Sequence, residues 1–215
     1  MASSAARQDY SAIERRSDAV VHLMGLGLVA LAVPGLLIVT LLWRPEAEAL
    51  WGVVVYGLAF AAMIGASALY NMTPGRPLRW LWRRLDHAAI YLKIAGTYTP
   101  FTLLTGQGAA LTVGLWSAAA VGVAFKLASP ERFRWLALAL YLGMGWAGVI
   151  AGQAMIAALP GPVVGLMLAG GLTYTVGVAF YLWRGLRFHI AIWHGFVLVA
   201  SLLFYAAVLL TVLLA

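Results

Sequence analysis

The sequence predicts an all-α integral membrane protein: a bundle of seven transmembrane helices with the N-terminus in the cytoplasm and the C-terminus outside. Three observations carry this. Of the 215 residues, 64% are hydrophobic and only 10% charged, with a mean hydropathy of +0.93, against roughly 45–50% apolar and about 25% charged in soluble domains. The apolar residues fall into seven runs of spanning length. The basic residues fall mostly on one side of those runs. A soluble chain of this size has too high a surface-to-volume ratio to hide so much apolar surface. Soluble enzymes, nucleic-acid binders and disordered regulators are therefore excluded.

A membrane-crossing helix needs about 20 mostly apolar residues. Residues 20–43, 50–71, 85–104, 109–127, 133–150, 163–183 and 190–214 meet that requirement. The first follows MASSAARQDYSAIERRSDA, which has no apolar run, so the first span is expected to be its own insertion signal. The breaks between spans read RPEAEA, TPGRPLRWLWRR, TGQG, SPER, LPGP and RGLRFH, turn-rich or charged segments that join antiparallel neighbours by short loops. The fifth span has the least defined end, because QAMIAA is apolar enough for an alternative end at about Leu159. The expected organisation is a short cytoplasmic segment (1–19) and a single transmembrane domain (20–215).

Orientation follows from Lys and Arg. Arg7, Arg15 and Arg16 precede the first span, and Arg76, Arg79, Arg83 and Arg84 lie between the second and third. Lys126, Arg132 and Arg134 follow the fourth, while Arg184 and Arg187 precede the seventh. Twelve of the 14 basic residues thus share one side, leaving Arg44 on the other and Lys93 inside a span. The positive-inside rule assigns the basic side to the cytoplasm, and the expected location is a bacterial plasma membrane. The net charge of +7 and pI near 10.1 are thereby explained by topology and contact with lipid headgroups, with no nucleic-acid partner. There is no cysteine, hence no disulfide, thiolate ligand or cysteine nucleophile.

Titratable groups inside a bilayer cost roughly 2.5–3.5 kcal/mol on insertion scales and mark functional sites by default. The candidates are His22, Ser67, Asn71, Asp86, His87, Lys93 and His194, with His189 at the edge. All but Lys93 fall near the cytoplasmic ends of the first, second, third and seventh spans. Ser67 and Asn71 share a helix face, as do Asp86 and Lys93, and so do Glu14, Asp18 and His22 if the first helix starts early. One polar pocket open to the cytoplasm is the economical arrangement. Simpler roles compete. His22 reads as an interfacial residue, Asp86 as an N-terminal cap of a helix starting at Leu85, and Ser67 as a small residue for helix packing. Lys93 lies too deep to reach the interface and must face the bundle interior. Trp43, Trp51, Trp80, Trp82 and Trp183 read as the interfacial aromatic belt.

LDHAAIYLKIAGTYTPF (85–101) resembles the third helix of the hemolysin III family, which is grouped with progestin and adiponectin receptors and, more distantly, alkaline ceramidases. YLGMGW (141–146), GGLTYTVGVAFYLW (170–183) and AIWHGFVLVASLLF (191–204) resemble its fifth, sixth and seventh helices. Glu14-x3-Asp18-x3-His22 is similar to its first motif, with Asp18 where Asn is usual. The resemblance implies a zinc ion near the cytoplasmic face. Its ligands would be a His from an S-x3-H motif on the second helix and two from an H-x3-H motif on the seventh, leaving a fourth position for water. Ser67, Asp86 and His194 match that pattern, but Asn71 and Ile190 occupy two ligand positions. A later His position is Phe204. His189 is five residues from His194 and points about 140° away from it on a regular helix. The expectation is therefore a degenerate zinc site and no cofactor. Lys93, where the family pattern carries an aliphatic residue, is expected to neutralise Asp86 in place of the metal.

Three functions follow from this reading. The first is a non-enzymatic role in membrane homeostasis or ligand sensing through a pocket lined by Ser67, Asn71, Asp86, His87, Lys93 and His194, with membrane lipids and a small lipid-like ligand as partners. The second, implied by the ceramidase relationship, is a zinc-dependent hydrolase of lipid amides or esters. Asn71 and Ile190 speak against it, and a metal-free triad of Ser67, Asp86 and His194 lacks a Gly-x-Ser-x-Gly elbow. The third is a pore, which would require assembly into oligomers, since no helix carries a polar stripe suited to an aqueous channel.

Overall fold

The computed structural model describes residues 10–73, 75, 77–129 and 134–214. Arg7, Arg76, Arg132 and the expected span start at Phe133 lie outside the described residues. The chain is helical: α1 (Ala12–Trp43), α2 (Ala47–Met72), α3 (Arg79–Thr105), α4 (Ala109–Ala128), α5 (Arg134–Ala151), the short α6 (Gln153–Ala158), α7 (Gly161–Leu182) and α8 (His189–Leu214). Six of these, α1, α2, α4, α5, α7 and α8, are long and apolar enough to cross a membrane. Their outer faces carry exposed Leu, Ile, Val and Trp side chains such as Leu31, Trp51, Leu58, Val113 and Ile150, a surface suited to lipid.

Three helix boundaries differ from expectation. α1 begins at Ala12 because Ser11 and Glu14 form a capping box. The Ser11 side chain accepts from the Glu14 N–H, and the Glu14 carboxylate accepts from the Ser11 N–H at 2.9 Å. Residues expected as a lead segment are thus helical, and Glu14, Asp18 and His22 lie on successive turns of one face. α3 begins at Arg79, two turns before Leu85, so Asp86 sits well inside the helix and does not cap it; the N-cap is Leu78, without a side-chain bond. The fifth span does not extend through QAMIAA. It breaks at Gly152, and those six residues form the separate α6.

α3 is the enclosed strut of the bundle. It packs against α2, α4, α5, α6 and α8, and Lys93 and every residue from Ala95 to Thr102 are buried. Its polar side chains turn inward or onto its own backbone: Thr97 and Thr99 donate to the carbonyls of Lys93 and Ala95, four residues earlier, at 2.7 and 2.9 Å. Close approach of α2 depends on Gly96, where an added Cβ would stand 2.6 Å from the Cβ of Ala59. Gly148 does the same for α5. A Cβ there would strike the Tyr98 ring, whose hydroxyl donates to the Gly145 carbonyl at 2.6 Å and accepts from the Gly148 N–H at 3.1 Å.

Candidate functional site

Four helices deliver polar groups to one end of the bundle: α1 near its start, α2 near its end, and α3 and α8 near their starts. Ser67, Asn71, Asp86, His87, Lys93 and His194 all line one cavity of about 260 Å³, together with His22. Its remaining walls are mostly apolar and aromatic, with Met63, Ile64, Ile94, Leu138, Trp146, Trp193 and Val197 among them. Hydrogen bonds fix the larger rings of these walls: Trp146 Nε1 donates to Thr175 at 3.2 Å, Tyr141 donates to the His87 carbonyl at 2.9 Å, and Tyr174 pairs with Ser201 at 2.8 Å. A second cavity of about 320 Å³ shares Tyr70, Asn71, His87 and Ile190 with the first, and Arg15, Arg79, Arg83, Lys126, Arg134 and Arg184 are among its lining residues. The polar end of the inner cavity therefore adjoins a basic vestibule.

The centre of the polar end is a hydrogen-bonded cluster. His22, expected at the interface, is buried. Its Nδ1 lies 2.8 Å from the Asp18 carbonyl oxygen, which can only accept, so Nδ1 carries the proton. In the neutral ring Nε2 is then the acceptor, and the Ser67 hydroxyl donates to it at 3.1 Å. Ser67 is thus more than a packing residue. His194 donates from Nδ1 to Asp18 Oδ1 at 2.5 Å, a charge-assisted distance, and its ring meets the His22 ring edge-on with centroids 4.5 Å apart. Asn71 donates to the Ser67 carbonyl at 3.0 Å and to its hydroxyl oxygen at 3.3 Å. Asp86 is half-buried and faces Ser67, Asp18 and His194.

Lys93 solves its burial differently. Its ammonium donates to Thr97 Oγ1 at 2.9 Å and sits over the rings of Tyr56 and Phe60, 4.3 and 4.7 Å from their centroids. Among the described residues no carboxylate pairs with it. The expected neutralisation of Asp86 is corrected accordingly: Asp86 is engaged with the cluster above, whereas Lys93 turns toward α2 aromatic faces. His87 keeps Nδ1 buried without a hydrogen-bond partner, next to the Tyr70 ring at 6.4 Å. His189 stays out of the cluster. It is buried against Tyr10, whose hydroxyl pairs with Nε2 at 3.3 Å, while Nδ1 donates to the Leu186 carbonyl at 3.1 Å.

A haemolysin-III-related family model matches residues 11–205. The chain belongs to the hemolysin III family. It is 36% identical over 202 residues to a hemolysin-3 homolog of Bacillus subtilis (strain 168), covering 91% of this chain and 93% of that one. It is 37% identical over 205 residues to hemolysin-3 of Bacillus cereus, covering 93% and 92%. Similarity extends to the human monocyte to macrophage differentiation factor at 27% identity over 165 residues, 72% of this chain and 67% of that one. The zinc ligands that the family resemblance implies do not fit here as a set: an amide at Asn71 and an alkyl chain at Ile190 replace two imidazoles. Sequence reasoning underweighted Asp18 and His22. The signal for both was the S-x-x-E capping box at Ser11, which starts α1 early and fixes their shared face.

Proposed function

We propose that this protein is a seven-span member of the family, N-terminus in the cytoplasm and C-terminus outside, that binds a small amphiphile with an anionic head and serves ligand sensing or membrane homeostasis. α3 is the seventh span in this reading. Its 27 residues match the other long helices in length, and its low hydropathy comes from Arg79, Arg83 and Arg84 at one end and from inward-facing polar groups elsewhere. The observation that carries the ligand is Lys93. An ammonium has three protons to donate, and the described partners of Lys93 are one threonine hydroxyl and two ring faces. It stands in a mostly apolar cavity that adjoins a basic vestibule, so a carboxylate or phosphate head with a short apolar tail supplies what the site lacks.

Native mass spectrometry of the delipidated protein tests this. Dodecanoate should be retained saturably by the wild type, and neither dodecanol by the wild type nor dodecanoate by Lys93→Leu should be. Equal retention of the acid and the alcohol would refute an anion-selective site. For topology, the cysteine-free chain makes each introduced cysteine the sole label. Gln107→Cys should react with an impermeant maleimide from outside the cell, and Arg79→Cys only after permeabilisation.

A hydrolase is favoured by one observation, the Ser67 hydroxyl directed at His22 Nε2. In that reading His22 takes the serine proton as general base while the Asp18 carbonyl holds its tautomer. Release of fatty acid from a short-chain lipid ester or amide, abolished in Ser67→Ala and in His22→Gln, would establish it.

A further inference from the structure

Asp18, His22 and His194 form a group that the family's usual ligand pattern does not contain. One donor atom from each lies within 4.8 Å of the others. We propose that these three side chains hold a divalent transition-metal ion, zinc or its like, with α1 supplying the carboxylate and one imidazole and α8 the second imidazole. This inference is independent of whether an amphiphile occupies the inner cavity.

The donor chemistry is that of a known class of site: two neutral imidazoles and one carboxylate, with coordination positions left over. The local architecture supplies what such ligands need. Asp18 and His22 are one turn apart on a helix, so both reach the same point without loop flexibility. The His22 nitrogen beside the Asp18 carboxylate is Nδ1, so ligation through it would exchange the proton it now gives to the Asp18 backbone carbonyl for the cation. The Asp18 carboxylate has its second oxygen 3.6 Å from His22 Nδ1 while the first takes the His194 proton. It is therefore central to the group and not at its edge. Coordination through His194 Nδ1 would exchange the proton now shared with Asp18 for the cation. Ser67 and Asp86 border the group and can hydrogen-bond a water on the ion. A divalent ion here places a Lewis acid at the polar end of the cavity.

The experiment uses purified full-length protein stripped of metal and titrated with zinc, and with cobalt(II) as the spectroscopic probe. The expected result is one ion per chain, with the visible absorption of a four- or five-coordinate cobalt site. Asp18→Asn and His22→Ala should each weaken binding by roughly 100-fold or more, above the range set by loss of an outer-shell partner alone. His189→Ala, outside the group, should not change it. Asn71→His adds an imidazole one turn from Ser67 and should tighten zinc binding. Folding of every variant is checked by its elution and thermal unfolding. A folded wild type that binds neither ion overturns the proposal, as does binding that survives both α1 variants. Binding that appears only in Asn71→His also overturns it, because the α1 ligands would then be insufficient.

Discussion

The cavity contains two clusters of polar groups about two turns of α3 apart, and they are stabilised by opposite means. Around Asp18 polar groups meet one another: His22 the Asp18 carbonyl and Ser67, His194 the Asp18 carboxylate, and Ser67 Asn71. Around Lys93 a full charge is offset by one hydroxyl and two aromatic faces. The first arrangement is a connected hydrogen-bond network, the kind whose partial removal is costly. The second is a cation paid for elsewhere in the fold, since desolvating an ammonium exceeds what two ring contacts return. The difference teaches that burial of charge is not one phenomenon: the Asp18 cluster is a hydrogen-bonded frame, whereas Lys93 is held by one hydroxyl and two ring faces.

Removing the carboxylate from the frame should have the largest effect. Asp18→Ala leaves the His194 Nδ1 proton without its acceptor, and loss of a charged hydrogen bond costs about 2–3 kcal/mol. Thermal unfolding in detergent should show a clear drop, and an unchanged midpoint would mean the network is not a unit. Lys93→Met should move stability the other way, by about 1–2 kcal/mol, because a flexible apolar side chain fills the same space without the ammonium's desolvation cost. A lower midpoint in that variant would place Lys93 with the frame after all. Ser67→Ala should cost about 1 kcal/mol, the worth of one ordinary hydrogen bond plus a shifted His22 ring. The smallest effect belongs to Tyr10→Phe, which removes only the hydroxyl contact to His189 at the margin of the site. It should fall within about 0.5 kcal/mol of wild type.

Much of the frame was legible in the sequence, for reasons that differ by residue. Ser67 with Asn71, and Asp86 at the head of the third span, announce themselves by polarity inside apolar runs. The convergence of their helices follows from alternating orientation alone, and so does the shared cavity of the six candidate residues. His22 stands among the candidates, yet an interfacial role competes for it as long as the first span is begun at Val20; the capped helix begins at Ala12 and carries His22 to its third turn. The role of Asp86 was misjudged for the same reason at the other boundary, since Arg79 and its neighbours are polar enough to look like loop. Lys93 could be recognised as inward-facing, but not its direction. Periodicity places it on the Asp86 face, yet the choice between a carboxylate and the rings of Tyr56 and Phe60 is made by side-chain packing between α2 and α3, which spacing along one helix does not encode.

Glu14 has a second task besides capping α1. Its other carboxylate oxygen accepts the N–H of Phe188 at 3.1 Å, and Phe188 adopts a positive φ of 62° immediately before α8. α1 and α8 are thereby clasped at their starts, and the Asp18–His194 bond closes one turn further in, across 176 positions of sequence. α1 is synthesised before α8. Glu14 and the Asp18 carboxylate therefore lack these partners until the α8 region is made, whereas His22 already has the Asp18 carbonyl and, from α2, Ser67. The Asp18–His194 bond therefore also records the order of synthesis: a chain stopped after α7 would leave the Asp18 carboxylate without the His194 ring.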